Sequence, residues 1–196
     1  MTAEVRPLYG LVLAGGRSRR MGRDKALLEV DGRTQLERAM AALADVTERQ
    51  FVSTRKDQGD DSERGRYDQV VDRYEDLGPI AGILSALETY PAADWLIVAC
   101  DLPNLDAETL RYLVANRDPN ATFTAFESSH DGLPEPLCAI YPAESVATVR
   151  QFVDDGIVCP RKMLIRSDTA LLVQPNPRAL DNVNTPDDLE AVAGQG

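Results

Sequence analysis

Two adjacent glycines, Gly15 and Gly16, follow the apolar run Leu8 to Leu13 and lead into Arg17, Arg19, Arg20, Arg23 and Lys25. Asp24 is the only acid in that window. Five positive charges against one negative give a net +4, inside a chain whose total is −11. Residues without a Cβ let backbone N–H groups come close to an anion. Arg19, as a planar fork, and Lys25, as a point charge, can then bring full charges to a triphosphate. A solvated basic loop is the plain alternative, but packed cations repel and persist more easily with an anion between them. The segment is not a Walker loop, because Gly22 is followed by Arg23 and Asp24. Nor does the spacing of Gly15, Gly16 and Gly22 make the dinucleotide fingerprint.

A second chemical signal lies in Ala99-Cys100-Asp101-Leu102-Pro103, where an aspartate leaves the end of the apolar run Trp95 to Ala99. Mg²⁺ commonly binds one or two carboxylates and takes its other ligands from substrate phosphates and water, so Asp101 alone is a sufficient protein ligand. A turn or capping aspartate is the competing explanation. Asp72, ending another strand-like stretch, is a further acidic candidate. Gly78-Pro79-Ile80-Ala81-Gly82 puts a tight turn and a helix start between the two acids. Gly78 and Gly82 would admit a flat base or ribose against the backbone, or would simply serve an ordinary helix entry.

These groups need a scaffold that brings loop ends together. Leu8 to Leu13 and Trp95 to Ala99 are continuously apolar, as expected of parallel strands buried on both faces. Gln50 to Thr54, Gln69 to Asp72, Ala121 to Phe126, Leu137 to Tyr141 and Thr169 to Val173 are further strand candidates. Thr34 with Glu37 makes a capping box, followed by Leu36, Ala39, Met40 and Leu43 at helical spacing. Helices are also expected through Ile80, Ile83, Leu84 and Leu87, through Leu110 and Leu113 after a capping Asp106, and from Pro142 through Val146, Val149 and Val153. Thr185 and Pro186 predict a short terminal helix. Arg55 to Arg66 contains no apolar residue and is expected to be a mobile surface loop. Strands alternating with helices predict a single α/β domain over residues 1–196 with a mostly parallel sheet, and ligands in such sheets sit beyond the strands' carboxyl ends.

Composition bounds the partners. The 196 residues are 43% hydrophobic and 27% charged, a soluble globular profile. The acidic balance disfavours DNA, RNA or anionic lipid. No apolar stretch is long enough for a bilayer, and Met1 to Pro7 holds no signal-peptide core. Cys100, Cys138 and Cys159 form no CxxC pair, and with His130 as the lone histidine a zinc cage is not expected. His130 has no evident partner in the sequence. A reduced, cytoplasmic setting fits.

Leu13-Ala14-Gly15-Gly16-Arg17-Ser18-Arg19-Arg20-Met21-Gly22-Arg23-Asp24-Lys25-Ala26-Leu27-Leu28 resembles the signature of the molybdenum cofactor guanylyltransferases. The segments at Gly78–Gly82, Cys100–Pro103 and Asn182-Val183-Asn184-Thr185-Pro186 resemble that family's later motifs in the same order, so the likeness runs from about residue 8 to 190. It implies a Rossmann-like three-layer α/β/α fold of the nucleotide-diphospho-sugar transferase type. It also implies transfer of GMP from Mg-GTP to molybdopterin, with release of pyrophosphate. By that resemblance Leu13, Ala14, Gly15, Gly16, Ser18, Lys25, Ser53 and Asp72 would contact GTP, Asp101 would hold Mg²⁺, and Asn182 and Asn184 would line the pterin side. Arg19, Lys25 and Asp101 would carry the catalysis. Contact with proteins that insert molybdenum or receive the cofactor would follow.

One departure stands out: some members have a His-Pro pair where this chain has Pro134-Glu135-Pro136-Leu137-Cys138. Arg161 and Lys162 are candidates for gripping the pterin phosphate, or are a solvated pair. Three other readings stay open. These are a cytidylyltransferase relative, against which Gly15-Gly16 leans because that branch usually has Ala-Gly; a transferase acting on a sugar or alcohol phosphate; and a nucleotide-binding sensor without turnover.

Overall fold

Leu8–Leu13 forms β1, and its side chains alternate between two hydrophobic cores: Val12 faces one and Leu11 the other. The structure, a computed structural model, describes residues 6–14, 24–30, 32–56 and 63–182. After β1 come a short hairpin of β2 (Glu29–Val30) and β3 (Arg33–Thr34), then helix α1 (Gln35–Ala44) and strand β4 (Arg49–Thr54). Strand β5 (Asp68–Val71), helix α2 (Pro79–Thr89), strand β6 (Asp94–Ala99) and helix α3 (Ala107–Ala115) follow. The last part holds β7 (Phe123–Glu127), β8 (Pro134–Tyr141), α4 (Ser145–Asp154), α5 (Pro160–Ile165) and β9 (Thr169–Leu172).

Seven strands form one sheet in the order β5-β4-β1-β6-β8-β7-β9. Every pairing is parallel except those of β8 with β6 and with β7, so β8 alone runs against the rest. Leu36, Met40 and Leu43 of α1 with Leu110 and Leu113 of α3 pack on one face against Val12, Val52 and Val98. Ile80, Ile83 and Leu84 of α2, Val149 of α4 and Met163 of α5 pack on the other against Leu11, Phe51 and Ile97. Removing a leucine- or isoleucine-sized side chain from water contributes about 1.5–3 kcal/mol, so these two apolar layers hold the sheet between them. The result is the three-layer arrangement the alternation predicts.

The capping box is present as expected: Glu37 N–H donates to Thr34 Oγ1 at 3.1 Å and Thr34 N–H to Glu37 Oε2 at 2.8 Å. Some expectations shift. The helix expected from Pro142 begins at Ser145, after a turn in which Ser145 N–H donates to Pro142 O. Strand β7 starts at Phe123 and β8 already at Pro134, with a bulge between Ala125 and Phe126. Pro134 and Pro136 are tolerated because β6 pairs only with Cys138 to Tyr141, leaving the proline-bearing start of β8 beyond it. Helix α5 was not anticipated. The terminal helix expected from Thr185 lies outside the described residues.

Arg55 to Arg66 is not wholly the mobile surface loop its composition predicts. Residues 57–62 are outside the described set, but Arg64–Arg66 forms a 3₁₀ turn and Arg64 is fully buried. Ion pairing, not apolar burial, holds it there.

Candidate active site

All strands but β8 end at one rim of the sheet, and β8 begins there. Leu13 of β1 is level with Ala99 of β6 and with Ser53 of β4. The chain therefore leaves β1 at Ala14 right beside the turn that carries Asp101, one strand spacing of about 4.8 Å away. Lys25 is in the 3₁₀ turn Lys25–Leu27, whose first backbone bond runs from Leu27 N–H to Asp24 O at 3.1 Å. Asp24 Oδ1 also accepts from Ala26 N–H at 3.0 Å. Arg64 Nη2 donates to Ala14 O and to Asp24 Oδ2, both at 2.7 Å. The two ends of the basic segment are thus tied to one guanidinium on the α1 side of the sheet.

On the α2 side, Ser53 and Asp72 meet. Ser53 is buried, and its Oγ donates to Asp72 Oδ1 at 2.7 Å. Burial pushes the Asp72 carboxyl above the usual carboxylate range, while the Ser53 hydrogen bond and the charge of Arg55 pull it back. The chain after Asp72 is fastened to α2: Arg73 N–H donates to Ser85 Oγ at 2.9 Å and Tyr74 OH to Glu88 Oε1 at 2.7 Å. Asp72 and Asp101 leave strands three places apart in the sheet, about 14 Å by strand spacing, so they are not a pair on one cation.

The glycines differ from each other. Gly78, at φ +58°, caps α2, and a Cβ there would meet nothing within 4 Å, which leaves open space above the backbone. At Gly82 a Cβ would come within 2.4 Å of Ser53 Oγ and 2.8 Å of a Leu13 methyl. The space at Gly82 is taken by protein, so this residue lets α2 lie close on β1 and β4 and acts on the site through Ser53.

The far side of the rim is closed by residues 174–182. Gln174 Nε2 donates to Glu127 O at 2.9 Å, Ser129 Oγ to Pro177 O at 2.9 Å, and Asn104 Nδ2 to Arg178 O at 3.3 Å. His130, without a partner in the sequence reading, lies with Nε2 3.1 Å from Asp181 Oδ1. This segment delivers Asn182, exposed, to the rim. Arg161 is bound to Asp131 and Glu135, each at 3.0 Å, so it is an ion-paired residue and not one half of a solvated pair with Lys162. Gly15, Gly16, Arg17, Ser18, Arg19, Arg20 and Asn184 lie outside the described residues.

The family model described as the MobA-like NTP transferase domain matches residues 10–170. The chain belongs to this family. MobA-like domains are nucleotidyltransferases, and the rim just described is where such a sheet takes a ligand. A molybdenum cofactor biosynthesis bifunctional protein of Synechocystis is 37% identical over 93% of the chain, which spans only 52% of that protein, about half its length. A probable molybdenum cofactor guanylyltransferase of Nostoc is 30% identical over 96% of the chain and 91% of its own. In fold, the chain is similar to the crystal structure of molybdopterin-guanine dinucleotide biosynthesis protein A from Archaeoglobus fulgidus, with a TM-score of 0.78 at 22% identity over 95% of this chain and 97% of that one. Among the described residues of this MobA-like chain, no helix is long and apolar enough to cross a membrane.

The sequence brings Leu13, Ala14, Lys25, Ser53, Asp72, Gly78, Asp101 and Asn182 to attention, and all sit at or next to this one rim. Arg64 was missed. It stands in a stretch with no apolar residue, and nothing in its local spacing marks it. The contact between Ser53 and Asp72 was also invisible, since it depends on β4 and β5 being neighbours.

Proposed function

We propose that this chain is a single nucleotidyltransferase domain that transfers GMP from GTP to molybdopterin and releases pyrophosphate. The observation that carries the reading is the register of β1 and β6: Leu13 opposite Ala99 brings the bend at Ala14 beside Asp101. Such an arrangement suits a triphosphate lying across the end of β1. Lys25 and Arg19 would supply charge to its phosphates. The nucleoside would extend over β4 towards Ser53, Asp72 and the open backbone at Gly78. The acceptor would approach from the side of Asn182 and Asn184. Glycines at 15 and 16 favour a guanine nucleotide over a cytosine one by the family resemblance.

In the reaction, an oxygen of the acceptor's phosphate forms a bond to the α-phosphorus of GTP. The bond from that phosphorus to the oxygen bridging to the β-phosphate breaks, and the electron pair leaves on pyrophosphate. The attacking group is already anionic, so no protein base is needed, consistent with a chain containing one histidine. The barrier comes from bringing two anions together and from charge on the leaving group, and cations fixed in advance address both. Among the described residues no three acids, cysteines or histidines cluster to bind a metal unaided. Asp101 is half-buried at a strand end, and one carboxylate fits Mg²⁺ that draws its remaining ligands from phosphate and water. Bound there, the ion would neutralise phosphate charge. The setting is cytoplasmic, with contacts to proteins that load molybdenum or take up the product.

The test is calorimetry with Mg-GTP, Mg-CTP and Mg-ATP in turn, followed by pyrophosphate release on adding molybdopterin. A clear preference for GTP and acceptor-dependent release are expected. Equal affinities would redirect the assignment to another nucleotidyl transfer, and binding without release would make the chain a sensor.

A further inference from the structure

Among the described residues, Arg64 is the only charged residue in the buried set, with a side chain 0% exposed. Taking a guanidinium out of water is costly unless its hydrogen bonds are met by well-placed acceptors. Two of those acceptors are the carbonyl of Ala14 and the carboxylate of Asp24, each at 2.7 Å from the same nitrogen, Nη2. They lie ten positions apart in the chain, one closing β1 and the other opening the turn that carries Lys25.

We propose that Arg64 is a positioning residue of the nucleotide site, holding the Ala14 carbonyl and the Asp24 carboxylate together so that the Lys25 turn is set against the end of β1. This inference rests on the nucleotidyltransferase reading above. Its first link is the shared nitrogen, which fixes the distance between the two acceptors. The second is Asp24 itself, whose other oxygen accepts from Ala26 N–H at 3.0 Å and so orients the turn one residue beyond Lys25. Asp24 neutralises the Arg64 charge, so the pair adds little net field to the site and acts through geometry. A planar guanidinium suits this task better than an ammonium, which is a rotating point donor. The strap carrying Arg64 is held in turn to α1 by Arg66, 3.5 Å from Glu37.

The test compares Mg-GTP affinity by calorimetry for wild type, Arg64→Ala, Arg64→Lys and a control, Leu113→Ala, which is destabilised through the core remote from the rim. Misplacing binding groups by about 1 Å costs on the order of a hundredfold in function, so Arg64→Ala and Arg64→Lys should weaken Mg-GTP binding by about tenfold to a hundredfold. Leu113→Ala should not, at a temperature where all are folded. Millimolar guanidinium chloride should restore part of the affinity of Arg64→Ala and leave wild type unchanged. Should Arg64→Ala fail to fold, Arg64→Lys carries the comparison. Wild-type affinity in folded Arg64 variants, an equal loss in Leu113→Ala, or no restoration by guanidinium overturns the positioning role while leaving the nucleotide site standing. A wild-type chain that binds none of Mg-GTP, Mg-CTP or Mg-ATP overturns both.

Discussion

Ser53 Oγ donates a 2.7 Å hydrogen bond to Asp72 Oδ1 and so joins the ends of two neighbouring parallel strands, β4 and β5. The bond favours the ionised form of a carboxylate that burial disfavours, and burial prevails.

A pH dependence of stability follows from this. A carboxyl whose folded pKa lies above its unfolded value binds more protons when folded, so its contribution declines as pH rises from the ordinary carboxylate range through the raised one, and is flat above. Asp72→Asn is expected to stabilise the fold at pH 7 against urea, with the gain over wild type shrinking to nothing at acid pH. It should also weaken Mg-GTP binding. A destabilised Asp72→Asn at pH 7 would contradict the assignment.

Gly82→Ala addresses the same corner by crowding. The new methyl would meet Ser53 Oγ at 2.4 Å and must push it off Asp72. Overpacking typically costs about 1–3 kcal/mol. The helical preference of alanine over glycine returns only about 1 kcal/mol. A net loss in urea stability is therefore expected, and Gly82→Ala with Ser53→Ala should recover part of it. Additive losses would show that the two positions do not touch.

Glu88 braces the chain that follows Asp72. Its carboxylate accepts from Tyr74 OH at 2.7 Å and from Arg150 Nε and Nη2 at 2.9 and 2.7 Å, with Arg73 at 3.5 Å. Burial pushes its carboxyl up, but the hydrogen bonds from Tyr74 and Arg150 and the charges of Arg150 and Arg73 bring it below the ordinary range. Its stabilisation is present at neutral pH and is lost as pH falls from the ordinary carboxylate range through the lowered one. Both arginines are more than half exposed and stay hydrated when the acid is removed. Glu88→Ala should thus cost about 1–3 kcal/mol, as for a hydrogen-bonded charge near the surface, and not the 3–5 kcal/mol of a fully buried pair. Urea titrations at pH 7 and pH 3 measure both the size and its disappearance.

Asp101→Ala should abolish measurable pyrophosphate release, a loss of at least about a hundredfold, as when one transition-state contact is removed. Its half-exposed place in a turn predicts a stability change within about 1 kcal/mol. Turnover near the wild-type rate would take Asp101 out of the mechanism.

Much of this arrangement was legible in the chain, for identifiable reasons. β1 and β6 are buried on both faces and therefore read as unbroken apolar runs, and the Thr34 and Glu37 pair marks the start of α1 by its own local bonds. Strand direction was not legible at β8, because a strand buried in the middle of a sheet has the same composition whichever way it runs. Helix α5 is only six residues long and offers too little periodicity. Arg64 escaped because its burial rests on contacts with residues 40 and 50 positions away. His130 and Asp181 are 51 positions apart, beyond any local pattern.

The reversal of β8 gives the sheet a seam between Asp101 and Pro134. On one flank four strands run alike and carry the groups proposed to hold the nucleotide. On the other, the turn Ser128 to Leu133 and the segment 174–182 are fastened to each other and to β7, with Asn104 to Arg178 as a tie across to the loop after β6. The register of β1 with β4 and β6 involves no residue of that flank. On the function proposed here, the acceptor could therefore change on that flank while the strands proposed to hold the donor keep their register.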